Sequence, residues 1–404
     1  MGKAWVFYLT YFINSSLSAV FGALFIVYLL SINFVPAQIG VLLGIQRIAT
    51  IASESPTGIF ADRFGRKKSV LLSFFFSAIL GIFWLVSKSF PILLVVSALG
   101  GVAFTFQSGA KESLMIQSLE CGEDDKKRNL IFKKMSLWGN IGLLVGGLLA
   151  FVLALIQLKL IWVASIFLNL LIFFTFLAFV RENPRIIEKQ PEDTKRTAFV
   201  KHIQNIKGVL PFFAITFVFG IVVSVFVISY PIFFKTILGF PDYYFGILGS
   251  LAALAGIVGI MIMTRIFEKK GFNFAASFLV IFMAVLFIAF GILKPLVFII
   301  TAFFLIESLI NGWFPVFQPF FNKFIPEKIR ATTLSINSTV GLSAIALGEI
   351  SGGFLLKTLR PDSLVAFSSI LLLFFFPLLS KIKNIKIPPS GLMESSLRED
   401  GTGG

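Results

Sequence analysis

"GIFADRFGRKKSV", residues 58–70, places Asp62, Arg63, Arg66, Lys67 and Lys68 between two stretches that carry almost no charge. The chain around it has 404 residues, 57% hydrophobic and 14% charged, with a mean hydropathy of +0.94. A soluble domain carries roughly 25% charged residues, and a helix crossing a bilayer needs about 20 apolar ones. Working outward from 58–70, apolar segments of that length fall at about 4–31, 37–60, 69–87, 91–117, 131–156, 160–180, 209–232, 243–266, 273–293, 296–320, 331–356 and 363–380. The sequence thus predicts an all-α membrane protein of twelve spans, with 58–70 between the second and the third.

The longest polar stretch, "RENPRIIEKQPEDTKRTAFVKHIQNIK" (181–207), divides the chain. The expected organisation is an N-terminal six-helix bundle (1–180), a central loop (181–207), a C-terminal six-helix bundle (208–382) and a disordered tail (383–404). Of the 35 Lys and Arg, 27 fall in the termini and in loops after even-numbered spans. Six fall in loops after odd-numbered spans: Lys88, Lys159, Lys235, Lys294, Lys357 and Arg360. Arg47 and Lys111 lie within spans. Basic loops stay in the cytoplasm, so both termini and the central loop are expected there, in a multi-pass protein of the cell membrane. The net charge of +15 then needs no nucleic-acid partner; topology and anionic lipid account for it. The first apolar stretch is too long for a cleaved signal and reads as a retained helix. Cys121 is the single cysteine and His202 the single histidine. Neither a disulfide nor a metal site is expected, and no phosphate-cradling G-x-x-x-x-G-K-[ST] loop is present.

The basic residues of 58–70 recur. Arg63, Lys67 and Lys68 reappear 202 residues later as Arg265, Lys269 and Lys270, and at the same offset Arg128, Gly139 and Gly146 become Arg330, Gly341 and Gly348. This reads as a duplicated six-helix unit, the two copies sharing one orientation about an axis along the membrane normal.

Gly58, Ala61, Asp62, Arg63, Gly65, Arg66 and Lys67 match the G-x-L-A-D-R-x-G-R-K/R signature of the major facilitator superfamily, which the sequence resembles there. The second copy, "MTRIFEKKGF" (263–272), keeps the basic residues and lacks the Asp and the central Gly. "ESPTG" (54–58) and "SGAKESLMIQSL" (108–119) resemble motifs of a bacterial multidrug-exporter-like branch, with Ser113 for Ala and Gln117 for Asp. The resemblance implies twelve helices in two pseudo-twofold-related bundles, no enzymatic activity, no cofactor, a monomer and alternating access. It makes 58–70 a latch whose arginines grip an acid when the cytoplasmic side is shut. The plainer alternative is that these charges only fix topology.

Ionisable groups within spans are costly unless paired or facing water, so each is a functional candidate. They are Arg47 and Glu54 on the second span, Lys111 and Glu112 on the fourth, Glu307 on the tenth and Glu349 on the eleventh. Arg47 and Glu349 sit at matching depths, and a pair between them would close an outer gate; pairing within each half is the alternative. Glu307, central and isolated, is the first choice as proton carrier, with Glu112 second. Cavity candidates are Asn14, Gln107, Asn311, Trp313, Phe317 and Gln318, with the aromatics of "NGWFPVFQPFF" (311–321) as a wall beside Glu307 and Pro315 and Pro319 as kinks. The leading expectation is proton-driven export of a lipophilic or amphipathic small molecule by antiport. Proton-coupled nutrient uptake and lipid flipping are the alternatives, and the former predicts more polar and charged groups in the cavity.

Overall fold

A computed structural model describes residues 4–119, 125–182, 209–325 and 330–383. Glu120, Cys121, His202, most of the central loop and nearly all of the tail lie outside the described residues. Every described element is helical. The first three spans are Ala4–Ser31, Pro36–Phe64 and Arg66–Val86. The fourth is in two pieces, Phe90–Thr105 and Ala110–Ser118. The fifth and sixth are Asp125–Ile156 and Leu160–Phe179. The seventh, Val209–Ile232, runs into a π-helical turn at Phe233–Ile237. The eighth to eleventh are Tyr244–Lys270, Phe272–Ile292, Leu296–Asn322 and Arg330–Leu355. Last come Pro361–Ser368, a 3₁₀ stretch Ser369–Phe374 and Phe375–Lys383.

Eleven of these are long and apolar enough to cross a membrane. The exception is the second, whose 29 residues reach some 43 Å at about 1.5 Å each but carry Arg47, Glu54, Asp62 and Arg63. Its charges, not its length, set it apart. The helix is sheathed by others, packing on the fourth and the eleventh spans.

The packing repeats itself. The first span lies on the fifth, the second on the fourth and the third on the sixth; the seventh lies on the eleventh, the eighth on the tenth and the ninth on the twelfth. Two seams join the halves, second span against eleventh and fifth against eighth. On the first seam a Cβ on Gly40 would collide with the Glu349 carbonyl and lie 3.1 Å from the Gly353 Cα. On the other, a Cβ on Gly246 would lie 2.7 Å from the Gly147 carbonyl oxygen and 2.6 Å from the Phe151 Cα. One step along, Gly44 meets the Ala346 carbonyl, and Ser250 Oγ donates to the Leu144 carbonyl at 3.4 Å. Gly40 and Gly44 are thus equivalent to Gly246 and Ser250 at an offset of 206, and Leu144, Gly147 and Phe151 to Ala346, Glu349 and Gly353 at 202. Small residues permit this backbone approach. Both close contacts lie toward the end away from the 58–70 turn, called here the far end; the other is the turn end.

The offset of 206 corrects the reading of the second copy. Gly65 (φ +105°) and Gly271 (φ +80°) each link two helices with no other residue between them. Gly271 is therefore the counterpart of Gly65, four residues or about one helical turn beyond the offset of 202, because the second and eighth spans correspond at 206 from end to end whereas the fifth and eleventh correspond at 202. The central glycine is kept, and Lys269, not Arg265, stands where Arg63 does.

The sequence also missed breaks. The first span kinks at Gly22 (φ −17°, ψ −106°), and the fourth opens over 106–109, where Gly109 has φ +69°. Conversely, the tenth helix runs through Pro315 and Pro319 without interruption.

Candidate functional site

A cavity of about 220 Å³ lies between the halves. The second span lines it with Gln46, Arg47, Thr50 and Glu54, the fourth with Phe104, Thr105 and Ser108, and the eleventh with Ser338 and Leu342. Positions 46/47, 50 and 54 recur at helical spacing, so one stripe of the second span faces it. The fourth span contributes the residues just before and within its break. Ser69 Oγ donates to the Phe106 carbonyl at 2.6 Å, satisfying an acceptor that the break frees. Ser53 and Thr105 hydroxyls meet at 3.1 Å. Seven of the nine lining residues are polar or charged. Of these, sequence reasoning named only Arg47 and Glu54. Gln46, Thr50, Thr105, Ser108 and Ser338 carry no charge to mark them in an apolar run; the (i, i+4, i+8) recurrence of Gln46, Thr50 and Glu54 was the available signal.

Arg47 and Glu349 come together at the far-end side of the cavity, Nη2 to Oε1 3.4 Å. The Arg47 side chain is 38% exposed and that of Glu349 only 2%. The contact is long and single: Arg47 Nε and Glu349 Oε2 are buried and have no hydrogen-bond partner among the described residues. On the other seam the equivalent positions are Ala253 and Gly147. That seam closes by backbone contact, the Ser250 hydrogen bond and Phe151 against Tyr243, with no charged residue at these two positions, so closure does not require an ion pair there.

A second polar group joins the first and fourth spans. Asn14 Nδ2 donates to Gln107 Oε1 at 3.0 Å, and the Tyr11 hydroxyl donates to Glu112. Lys111 Nζ sits over the Tyr11 ring, 4.4 Å from its centroid. Tyr11 was not among the residues expected. None of these five lines the cavity.

The tenth span differs from expectation. Trp313 and Phe317 are 4% and 3% exposed, and they do not line the cavity described above. Trp313 packs on Phe219, Phe272 and Phe317, and Phe317 on Phe212 and Phe321. Aromatic spacing alone does not separate a core face from a lining face. Phe314, by contrast, is 66% exposed. Glu307 accepts from Asn311 Nδ2 at 3.4 Å. Asn311 faces the eighth span, where its Cγ would lie 3.1 Å from a Cβ on Gly256. Glu307, Asn311 and Gln318 do not line the cavity.

At the turn end, Asp62, Arg63 and Lys68 are exposed. The backbone N–H groups of Arg66 and Lys67, which open the third span, donate to the Glu182 carboxylate at 2.8 and 2.9 Å, and Lys67 Nζ donates to the Leu177 carbonyl at 3.0 Å. Glu182 therefore neutralises a helix N-terminus, and these contacts tie the third span to the sixth and to the first residues of the central loop. Glu182 sits in the polar stretch after the sixth span, where nothing in the sequence singled it out. Among the described residues, no side chain comes within 4 Å of a Cβ on Gly58 or Gly271. Arg265, Lys269 and Lys270 are exposed, with Lys270 over Phe274 at 5.8 Å.

The sequence profile of the Major Facilitator Superfamily matches residues 7–349. A curated relative, the uncharacterized MFS-type transporter YxaM of Bacillus subtilis (strain 168), is 27% identical over 354 residues, covering 83% of this chain and 86% of that one. Among solved structures, a point mutant of the nucleoside transporter NupG superposes with a TM-score of 0.80 at 14% identity, covering 94% of this chain and 99% of that one. The D-xylose–proton symporter does so at 0.71 and 15%, covering 94% and 98%. A bacterial homologue of the iron transporter ferroportin, in an inward-facing state, gives 0.72 and 15%, covering 95% and 99%. The likeness to these structures is one of fold; with the profile match over most of its length, the chain belongs to the major facilitator superfamily.

Proposed function

We propose that this transporter carries a small polar solute by alternating access through the cavity between its second, fourth and eleventh spans. The observation that carries the reading is the pairing of two tight far-end contacts, Gly40 with Glu349 and Gly246 with Gly147, with a polar cavity on the turn side of the first of them. The turn end, rich in Lys and Arg, is the cytoplasmic one, and the conformation described is closed to the outside. The two halves, 1–180 and 208–382, rock against each other on the membrane normal, with 181–207 joining them. Arg47 and Glu349 hold the outer gate. The 58–70 turn is the latch that grips across the halves when the cytoplasmic side is shut.

Uptake by proton symport is the reading the cavity supports best, since it calls for the polar lining found here; the nucleoside and D-xylose cargoes of two fold relatives are of the same polar kind. Export of an amphipathic compound keeps the support of the motifs at 54–58 and 108–119, but the aromatic wall it drew upon is core. Glu112 and Glu307 are candidate proton carriers outside the cavity. The test is transport in liposomes holding the purified chain, under an imposed pH or Na⁺ gradient of either sign. Inward movement of a polar solute with the proton gradient is expected; export of lipophilic dyes alone would sink the uptake reading.

A further inference from the structure

We infer that the cargo is a small zwitterion, and that its carboxylate displaces Glu349 from Arg47 so that Glu349 takes up the co-transported proton. This rests on the cavity being the transport site. The cavity offers opposite charges on one stripe of one helix: Arg47 and, two turns nearer the turn end, Glu54. Along the axis they stand some 10 Å apart, and flexible side chains shorten the gap to the reach of a solute that fits about 220 Å³. A purely anionic solute would leave Glu54 facing it without compensation; a purely cationic one would leave nothing to exchange at Arg47. An ammonium group at Glu54 and a carboxylate at Arg47 balance both. Gln46, Thr50 and Ser108 add hydrogen bonds between.

Arg47 is free to make the exchange. Its one contact with Glu349 is 3.4 Å long, its Nε is unpartnered, and over a third of its side chain is exposed. A solute carboxylate reaching the guanidinium edge makes the bidentate fork that Glu349 does not. Glu349 is then a buried carboxylate with no cation. The second span supplies no other basic residue at that depth, its further charged groups being Glu54, Asp62 and Arg63 toward the turn end. The seventh span, which packs on the eleventh, has Tyr230 and, in its π-helical turn, Lys235, which is paired with Asp242; besides Glu349 the eleventh itself has only Arg330, at the turn end. A lone buried charge is far costlier than a neutral acid, so Glu349 binds a proton from the water of the turn-end mouth in the inward-facing state, or of the far-end mouth in the outward-facing one. One zwitterion and one proton bind together and leave together, carrying one net positive charge. Without cargo, the pair re-forms and the proton is shed.

The experiment uses the purified full chain in weakly buffered detergent solution with a pH indicator. Glycine, L-alanine and L-serine are compared with propionate, ethylamine and glycerol by calorimetry. At least one zwitterion should bind with uptake of one proton, and its affinity should rise tenfold for each pH unit of acidification above the midpoint. Arg47→Ala should weaken binding at least about tenfold. Glu54→Gln should abolish the preference over propionate. Glu349→Gln should bind the zwitterion without proton uptake, whereas Glu307→Gln should retain it. The pH dependence of the unmodified protein gives the same answer should a variant not fold. Binding of none of the zwitterions, equal binding of propionate or glycerol, or proton uptake that survives Glu349→Gln and vanishes in Glu307→Gln would overturn the inference. Side-specific labelling of Ser338→Cys, described below, needs no ligand: alternating access without zwitterion binding sinks the cargo assignment alone.

Discussion

Arg47 and Glu349 show what charges in an oily chain reveal. Each was conspicuous in the sequence because a charge inside a span demands a reason, and depth counting alone suggested the pair that the structure contains. Because Glu349 is buried and Arg47 half-open, the two single removals should differ. Arg47→Ala leaves a buried carboxylate uncompensated and should lower stability by roughly 1–3 kcal/mol. Glu349→Ala leaves a cation that can turn to water in the cavity, and should cost less. Thermal unfolding in detergent measures both, and equal losses would contradict this account. The swap Arg47→Glu with Glu349→Arg should regain part of the stability lost in Arg47→Ala but not cargo binding, because the cavity then presents a carboxylate where the cargo's own carboxylate docks. Uncharged residues were less legible. Thr50, Ser108 and Ser338 were lost in the apolar background, and Trp313 and Phe317 were assigned to the cavity because an aromatic stripe looks the same whichever way it faces. Only packing against Phe219, Phe272 and Phe212 settles that.

Whole helices were legible to within a few residues, since length and hydrophobicity are the main demands of a bilayer. Their irregularities were not. The fourth span reads as one apolar run, yet it breaks at 106–109, where Gly109 takes a positive φ that side chains resist. The turns at Gly65 and Gly271 offer a controlled comparison, since both have positive φ. Gly271→Ala meets open space and should cost about 1 kcal/mol from backbone strain alone. Gly65→Ala should cost more, because its Cβ would lie 2.8 Å from Glu182 Oε2 and disturb the cap on Arg66 and Lys67. Glu182→Ala should by itself cost about 1 kcal/mol. Unfolding temperatures in the order Gly271→Ala above Gly65→Ala check the first comparison.

At the scale of the molecule, the duplication was visible in the sequence only where polar residues survived, and the constant offset of 202 hid a shift of one helical turn in the eighth span. Contacts reveal the correct register because each seam must bring small residues together at the same height. Those contacts hold the conformation described here. Gly40→Leu or Gly246→Leu should therefore prop the far end apart. In a Cys121→Ser background, Ser338→Cys, which lines the cavity, should react with an impermeant maleimide applied to the cytoplasmic face of inverted vesicles. Adding Gly40→Leu should shift that reactivity to the external face of right-side-out vesicles. Labelling unchanged in side and rate would argue against rocking halves.

The two seams differ in one respect that reaches beyond geometry. Where the first has Arg47 and Glu349, the second has Ala253 and Gly147. A charge pair with one member shut off from water is poorly screened by dissolved ions, whereas the basic turn residues on the surface are screened within about 10 Å at 0.1 M ionic strength. Added salt should accordingly slow or speed whichever half of the cycle engages the cationic turns while leaving the other half unaltered, so that a single titration with sodium chloride separates the two strokes of the machine.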